Sequence, residues 1–184
     1  MKHKLLIGLI CFLLTSPVAA SEASPLHIHA YGYGPVKVGM TPREASKVLG
    51  VELVQIDENV FDGCHYVYPD GDYSSMGYMV QDDVIVRIDV RDESVRTLSG
   101  LAVGAKEEEI QTRFKSKVRI SEHPYGAGAH YVSVNVYGEN LLLFETRAEE
   151  TSITEDDRLL AADYRISRFR VGKPSAVSLI EGCL

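Results

Sequence analysis

The chain has 184 residues, with 26 acidic against 19 basic side chains and a formal net charge of −7. That balance excludes general nucleic-acid binding, which needs a basic footprint. The length fits one ordinary domain or two small ones.

Lys2 and Lys4 give the chain a positive start, and Leu5 to Leu14 is an apolar run. At about ten residues, such a run is too short to cross a bilayer as a helix. Val18-Ala19-Ala20 then offers small residues before a cut. This is the pattern of a secretory signal peptide, cleaved near Ala20, with an uncleaved anchor as the alternative. Cys11 follows Ile10, where a lipoprotein signal would carry a small residue. A periplasmic or secreted chain without a lipid anchor is therefore expected. Losing Lys2 and Lys4 leaves 17 basic residues against 26 acidic ones, a net charge of −9. Such a charge would fit a basic partner, but net charge alone is mostly a matter of solubility.

The mature chain keeps Cys64 and Cys183. Two cysteines in an exported chain are expected to pair. The loop so closed contributes roughly 4–5 kcal/mol by chain entropy, less any strain. Two buried thiols are the alternative. A catalytic thiol lacks a histidine at any specifying distance.

Residues 21–33 form an N-terminal segment, and a first unit is expected over 34–98. In it, Val36 and Val38 flank Lys37 as a short extended entry, and Gly39 can turn the chain. Thr41-Pro42-Arg43-Glu44 is a capping box with proline at the first helical position. Ala45, Val48 and Leu49 make an apolar stripe, and Gly50 ends it. Two turns of helix need something to dock on. Strands are expected over Val51–Ile56, Cys64–Tyr68, Gly77–Gln81 and Val84–Val90, with turns at Pro69-Asp70-Gly71 and Asp82-Asp83. In the last strand Val84, Val86, Ile88 and Val90 alternate with Ile85, Arg87 and Asp89.

The pattern then restarts in a second unit, 99–184. Leu101 to Ile110 repeats the apolar entry, the glycine and the acidic first turn, with Gly104 standing 65 residues after Gly39. Ile110 and Phe114 can supply the docked stripe. Strands follow at Val118–Ile120, His130–Tyr137, Leu141–Thr146 and Tyr164–Val171. Arg87-Ile88-Asp89-Val90 aligns with Arg168-Phe169-Arg170-Val171. The fold expected is α+β, two tandem units of a short helical segment on an antiparallel meander.

The "VGMT…E…LG" turn-helix followed by an antiparallel sheet resembles the module of beta-lactamase inhibitory protein, and the BamE (SmpA/OmlA) envelope lipoproteins are similar. The resemblance covers most of residues 34–171. Two tandem copies are closer to the inhibitor's arrangement. Unlike the BamE-like proteins, this chain has no lipobox cysteine. Unlike the inhibitor, it has cysteines for one bridge only. "GPVKVGMT … VIVRIDV … EGC" also looks like a group of exported bacterial proteins of unassigned function. What the resemblance implies is a protein-binding module, an inhibitor of an envelope hydrolase or toxin that acts by covering a surface, or an envelope assembly factor.

Chemistry-bearing residues are sparse. His27 and His29 could share a strand face, yet two ligands are not a metal site. His65, His123 and His130 have no fixed partner in sequence. Glu107-Glu108-Glu109 suits a helix first turn, and Glu149 to Asp157 reads as a solvated acidic loop. No serine has a nucleophile context. Gly126-Ala127-Gly128 lacks the lysine and helix of a phosphate loop. No cofactor is expected.

The outer sheet face is more suggestive. Strand alternation places Arg87, Asp89, Tyr131, Asn135, Tyr137, Arg168 and Arg170 on it, together with Ser133. Arginine and tyrosine are enriched at interface hot spots, although tyrosine is also simply β-prone. The expectation is that these residues, with the loop Tyr125 to His130, contact another protein. A pocket lined by His65, His123 and His130 would instead favour a small-molecule or metal-binding role, or an enzyme.

Overall fold

The computed structural model describes residues 26–56, 61–126, 128–135, 138–149 and 163–183. The expected leader, Tyr137, and the acidic stretch beyond Glu149 lie outside them.

The chain opens with three short strands, β1 (His27–His29), β2 (Gly32–Tyr33) and β3 (Val36–Lys37), and then α1 (Pro42–Leu49). The capping box forms as the sequence dictates. Thr41 Oγ1 accepts from the Glu44 N–H at 3.3 Å, and the Glu44 carboxylate accepts from the Thr41 N–H at 2.9 Å. Gly50 closes the helix in the left-handed region at φ 71°. Ala45 is fully buried, but Val48 stays 44% exposed, so the docked stripe is narrower than its spacing suggests.

Next come β4 (Leu53–Val54), β5 (Cys64–Pro69), β6 (Met76–Gln81), β7 (Val84–Val90) and β8 (Arg96–Thr97). Then follow α2 (Glu107–Phe114), β9 (Val118–Glu122), β10 (Ala129–Asn135), β11 (Leu141–Ala148), β12 (Tyr164–Gly172) and α3 (Pro174–Val177). The described residues are thus α+β, mostly strands in two sheets. The small sheet runs β3-β2-β1-β8, with β1 and β8 parallel. The large sheet has eight strands in the order β4-β5-β6-β7-β12-β11-β10-β9, all antiparallel.

β7 and β12 meet at its middle, with Asp89 opposite Arg170 and Arg87 opposite Gly172. Gly172 sits there because a Cβ would lie 2.3 Å from the Val86 carbonyl oxygen. Each of these two strands also receives a glycine turn. The Gly39 N–H donates to Ile85 O at 2.7 Å, and the Ile85 N–H returns a bond to Met40 O at 2.8 Å. The Gly104 N–H donates to Ile166 O at 2.8 Å, and the Ile166 N–H returns one to Ala105 O at 2.9 Å.

One face of the sheet carries the main core, in which Tyr78, Ile85, Ile88, Val90, Val132, Phe144 and Phe169 pack with Ile110 of α2 and Ala45 of α1. The simple alternation expected for β7 is corrected here. Ile85 joins Ile88 and Val90 in this core, while Val86 packs on the opposite face with Cys64, Met79 and Ala176. The cause is a register shift between Met79 and Val80, which leaves Val86 as the extra residue of a bulge. A second shift falls between Glu145 and Thr146, where β11 meets β12.

The opposite face is partly roofed by the C-terminal segment. α3 places Ala176 and Val177 in buried positions, and Cys183 bonds to Cys64. The expected disulfide is therefore present. It is compatible with an exported chain, and no helix of the described residues is long and apolar enough to cross a membrane.

Candidate functional site

The roofed half of the face shows what the arginine of "VRIDV" does. Arg87 is 3% exposed. Its Nη1 donates to the carbonyls of Ala176 (2.8 Å) and Leu179 (2.7 Å), its Nε to Asp89 (2.9 Å) and its Nη2 to the Tyr66 hydroxyl. The Tyr66 hydroxyl in turn donates to Asp89 at 3.1 Å. Burial lowers the guanidinium pKa, but the Asp89 carboxylate and Tyr66 outweigh it, and the net shift is upward. Burial, with Asp89 adding to it, pushes the Tyr66 phenol well above its ordinary value. Arg87 and Asp89 thus hold the tail down. The expectation that they stand exposed is corrected, because a tail tied by the disulfide covers them.

The other half centres on Glu145 of β11, a carboxylate only 2% exposed. Tyr131, Glu145 and Arg168 are cross-strand neighbours in one row, and Ser133, Leu143 and Arg170 make the next. Arg168 Nε binds one Glu145 oxygen, and Arg170 Nη1 lies 3.1 Å from the other. His123 Nε2 stands 3.7 Å from the first. The Arg170 guanidinium lies over the Tyr131 ring at 5.4 Å, and His123 packs against that ring at 4.5 Å. Arg170 is 3% exposed, which corrects the expectation for it as well, whereas the Arg168 side chain remains 38% exposed. Tyr131 is half-buried and Asn135 is exposed at the end of β10. Of the expected surface residues, the structure brings Tyr131, Arg168 and Arg170 together, keeps Arg87 and Asp89 under the tail, and leaves Asn135 at the margin.

Glu145 is the residue sequence reasoning missed, and His123, expected only as a pocket residue, stands beside it. The register of β10 on β11 places Glu145 beside Tyr131, and no spacing rule would give it. A second missed cluster lies on the core side of the β9–β10 hairpin. Glu107 of α2 accepts from His130 Nδ1 at 2.8 Å and from the Thr146 hydroxyl. An ionised carboxylate can only accept, so Nδ1 is the donor in this bond. The His130 ring stacks on Tyr164 at 4.1 Å.

The hairpin between these clusters borders two clefts of about 480 and 520 Å³. His123 and Tyr125 line both, Arg147 and Glu149 line the first, and His130 and Tyr164 line the second. Tyr125, at the hairpin tip, is 70% exposed. His65 lines neither cleft. His29 has both ring nitrogens engaged, Nε2 with Gly34 O at 2.9 Å and Nδ1 with the Tyr31 N–H at 3.1 Å. Among the described residues no three histidine, cysteine or acidic side chains are placed to hold a metal.

No family model matches the chain. No curated protein matches it. Among solved structures, the crystal structure of the uncharacterized protein yfeY from Escherichia coli is similar to it, with a TM-score of 0.48 and 16% identity over 80% of this chain and 99% of that one.

Proposed function

We propose that the chain is an exported protein-binding module that acts by covering a surface of its target. The contact region is the β9–β10 hairpin with the adjoining open sheet face. One observation carries this reading. A half-exposed Arg168 is locked on a buried carboxylate, beside a hairpin whose Tyr125 is 70% exposed. Side chains held in place before binding lose little freedom on association, and this is what gives a rigid surface its affinity. Tyrosine and arginine are the residues that such surfaces use as anchors.

The two glycine turns support a finer reading, in which residues 34–98 and 99–184 are copies of one helix-plus-meander unit. Gly39 and Gly104 dock on Ile85 and Ile166 through the same pair of bonds. The two meanders then meet through their last strands. Target inhibition fits that arrangement, as does a role in envelope assembly.

The test is affinity capture. The bait is the mature chain from Ser21, beside Tyr125→Ala and a distant control, Tyr73→Ala, which is also well exposed at 69%. The expected result is one partner held by the wild type and by Tyr73→Ala, and lost at least tenfold by Tyr125→Ala. Equal capture by all three contradicts the hairpin as contact.

A second reading rests on the cleft lined by His130 and Tyr164, where the imidazole, held to Glu107 through Nδ1, could bind a small ligand through Nε2. A thermal shift produced by a small-molecule panel, and abolished in His130→Ala, would favour it.

A further inference from the structure

The Glu145 cluster is short of negative charge. In the Arg87 and Glu145 clusters three guanidiniums, Arg87, Arg168 and Arg170, stand against two carboxylates, Asp89 and Glu145, which leaves one positive charge over. Asp89 is spent on Arg87 and Tyr66. Glu145 alone serves both Arg168 and Arg170.

Arg170 Nε and Nη2, the Tyr131 hydroxyl, Glu145 Oε1 and His123 Nε2 are all buried without a hydrogen-bond partner, so the interior of the cluster is closed and only the half-exposed Arg168 presents its charge outward. A buried guanidinium cannot shed its proton, so the surplus charge of the cluster persists. Arg119 ends one of these rows, and Arg147 stands in the row beyond the other, next to an Arg165 already paired with Glu149 and Asp163. Arg119 lies opposite Ser133, and Arg147 lies opposite Arg165. Arg119 is exposed, as is Arg147, and neither makes an ion pair among the described residues. A basic face on a chain of net charge −7 is a local feature, not a reflection of composition.

We infer that this face takes an acidic segment of the partner protein, whose carboxylate meets Arg168 beside Tyr131 while flanking acids meet Arg119 and Arg147. The inference rests on the protein-binding reading and names the chemistry of its partner. Bidentate pairing of guanidinium with carboxylate supplies the geometry, and the surplus charge would speed encounter at low salt.

The test is titration of the mature chain with a synthetic decapeptide of alternating Glu and Ser. Its Gln-for-Glu analogue, acetate and inorganic phosphate serve as comparisons. The Glu peptide is expected to bind, and to weaken steeply with added salt. Arg168→Gln should weaken it at least tenfold. The double variant Arg119→Gln/Arg147→Gln, which changes only exposed side chains, should weaken it at least threefold, so the test survives even if Arg168→Gln folds poorly. Equal binding of the Gln analogue overturns the proposal, and so does an unchanged affinity in the double variant. Acetate or phosphate binding as tightly as the peptide also overturns it, since the site would then be one for free anions. If a captured partner is held undiminished under excess Glu peptide, the acidic-segment assignment falls and the binding module stands. If no partner is captured but the peptide binds as described, the assignment stands and the contact reading must find its target elsewhere.

Discussion

Arg87 and Arg168 occupy matched places in "RIDV" and "RFRV", yet their environments are opposite. Arg87 lies under the tail and bonds its carbonyls, while Arg168 reaches solvent. Removing one partner of a buried pair leaves the other charge stranded, which costs about 3–5 kcal/mol. Arg87→Ala should therefore lower the unfolding free energy, measured by urea denaturation, by an amount of that order. Arg168→Ala should lower it by less, because Arg170 still faces Glu145. Equal losses would mean that the two sites are buried alike. The sequence shows which residues alternate outward on these strands. It does not show what lies over them. A tail 89 residues away from Arg87 in sequence leaves no trace in local pattern, and neither does Glu145 beside Tyr131.

At the scale of elements, α1 was legible to the residue because its signals are local. Cap, proline, box and closing glycine all lie within ten positions, and each acts on the backbone next to it. The bonds from Thr41, backbone first, hold the Glu44 carboxyl below its ordinary pKa. A carboxyl depressed in the folded state adds stability above its unfolded pKa, and that stability fades as pH falls through its folded one. Thr41→Ala should cost about 1 kcal/mol at neutral pH. The gap between variant and wild type should narrow as the pH drops below the carboxylate range. A gap that widens in acid would contradict the box. The strand β7 was legible only in part. Its alternation is real at Ile88 and Val90, but the bulge at Val86 breaks it, and a bulge is set by the partner strand rather than by its own residues. The small sheet escaped notice because strands of two or three residues are too short to show a period. Gly172 joins the two halves of the large sheet where no side chain fits. Gly172→Ala should destabilise the whole sheet, seen as a single lowered transition. A second transition confined to one half would show that the halves unfold independently.

At the scale of the whole molecule, the disulfide decides which half of the face is open. It ties Cys183 to Cys64 across 119 residues and keeps the tail on Arg87. Cys64→Ser/Cys183→Ser should lose up to roughly 4–5 kcal/mol, measured by denaturation. Amide exchange should rise over residues 174–183 more than over β10 and β11. Uniform exchange would mean that the tail is held by packing alone. The bridge was legible from cysteine arithmetic and the expected export signal. Its consequence, a tail laid over Arg87 and reaching β11, was not, because it depends on which face the tail crosses.

The division of the face is tested most directly by amide exchange on the complex with the captured partner. Protection is predicted over β9, the hairpin at Tyr125 and the adjoining β10 and β11, with β4 to β6 unchanged. Protection concentrated on β4 to β6 or on α1, with the hairpin still exchanging freely, would contradict the account and place the contact on the other half of the molecule.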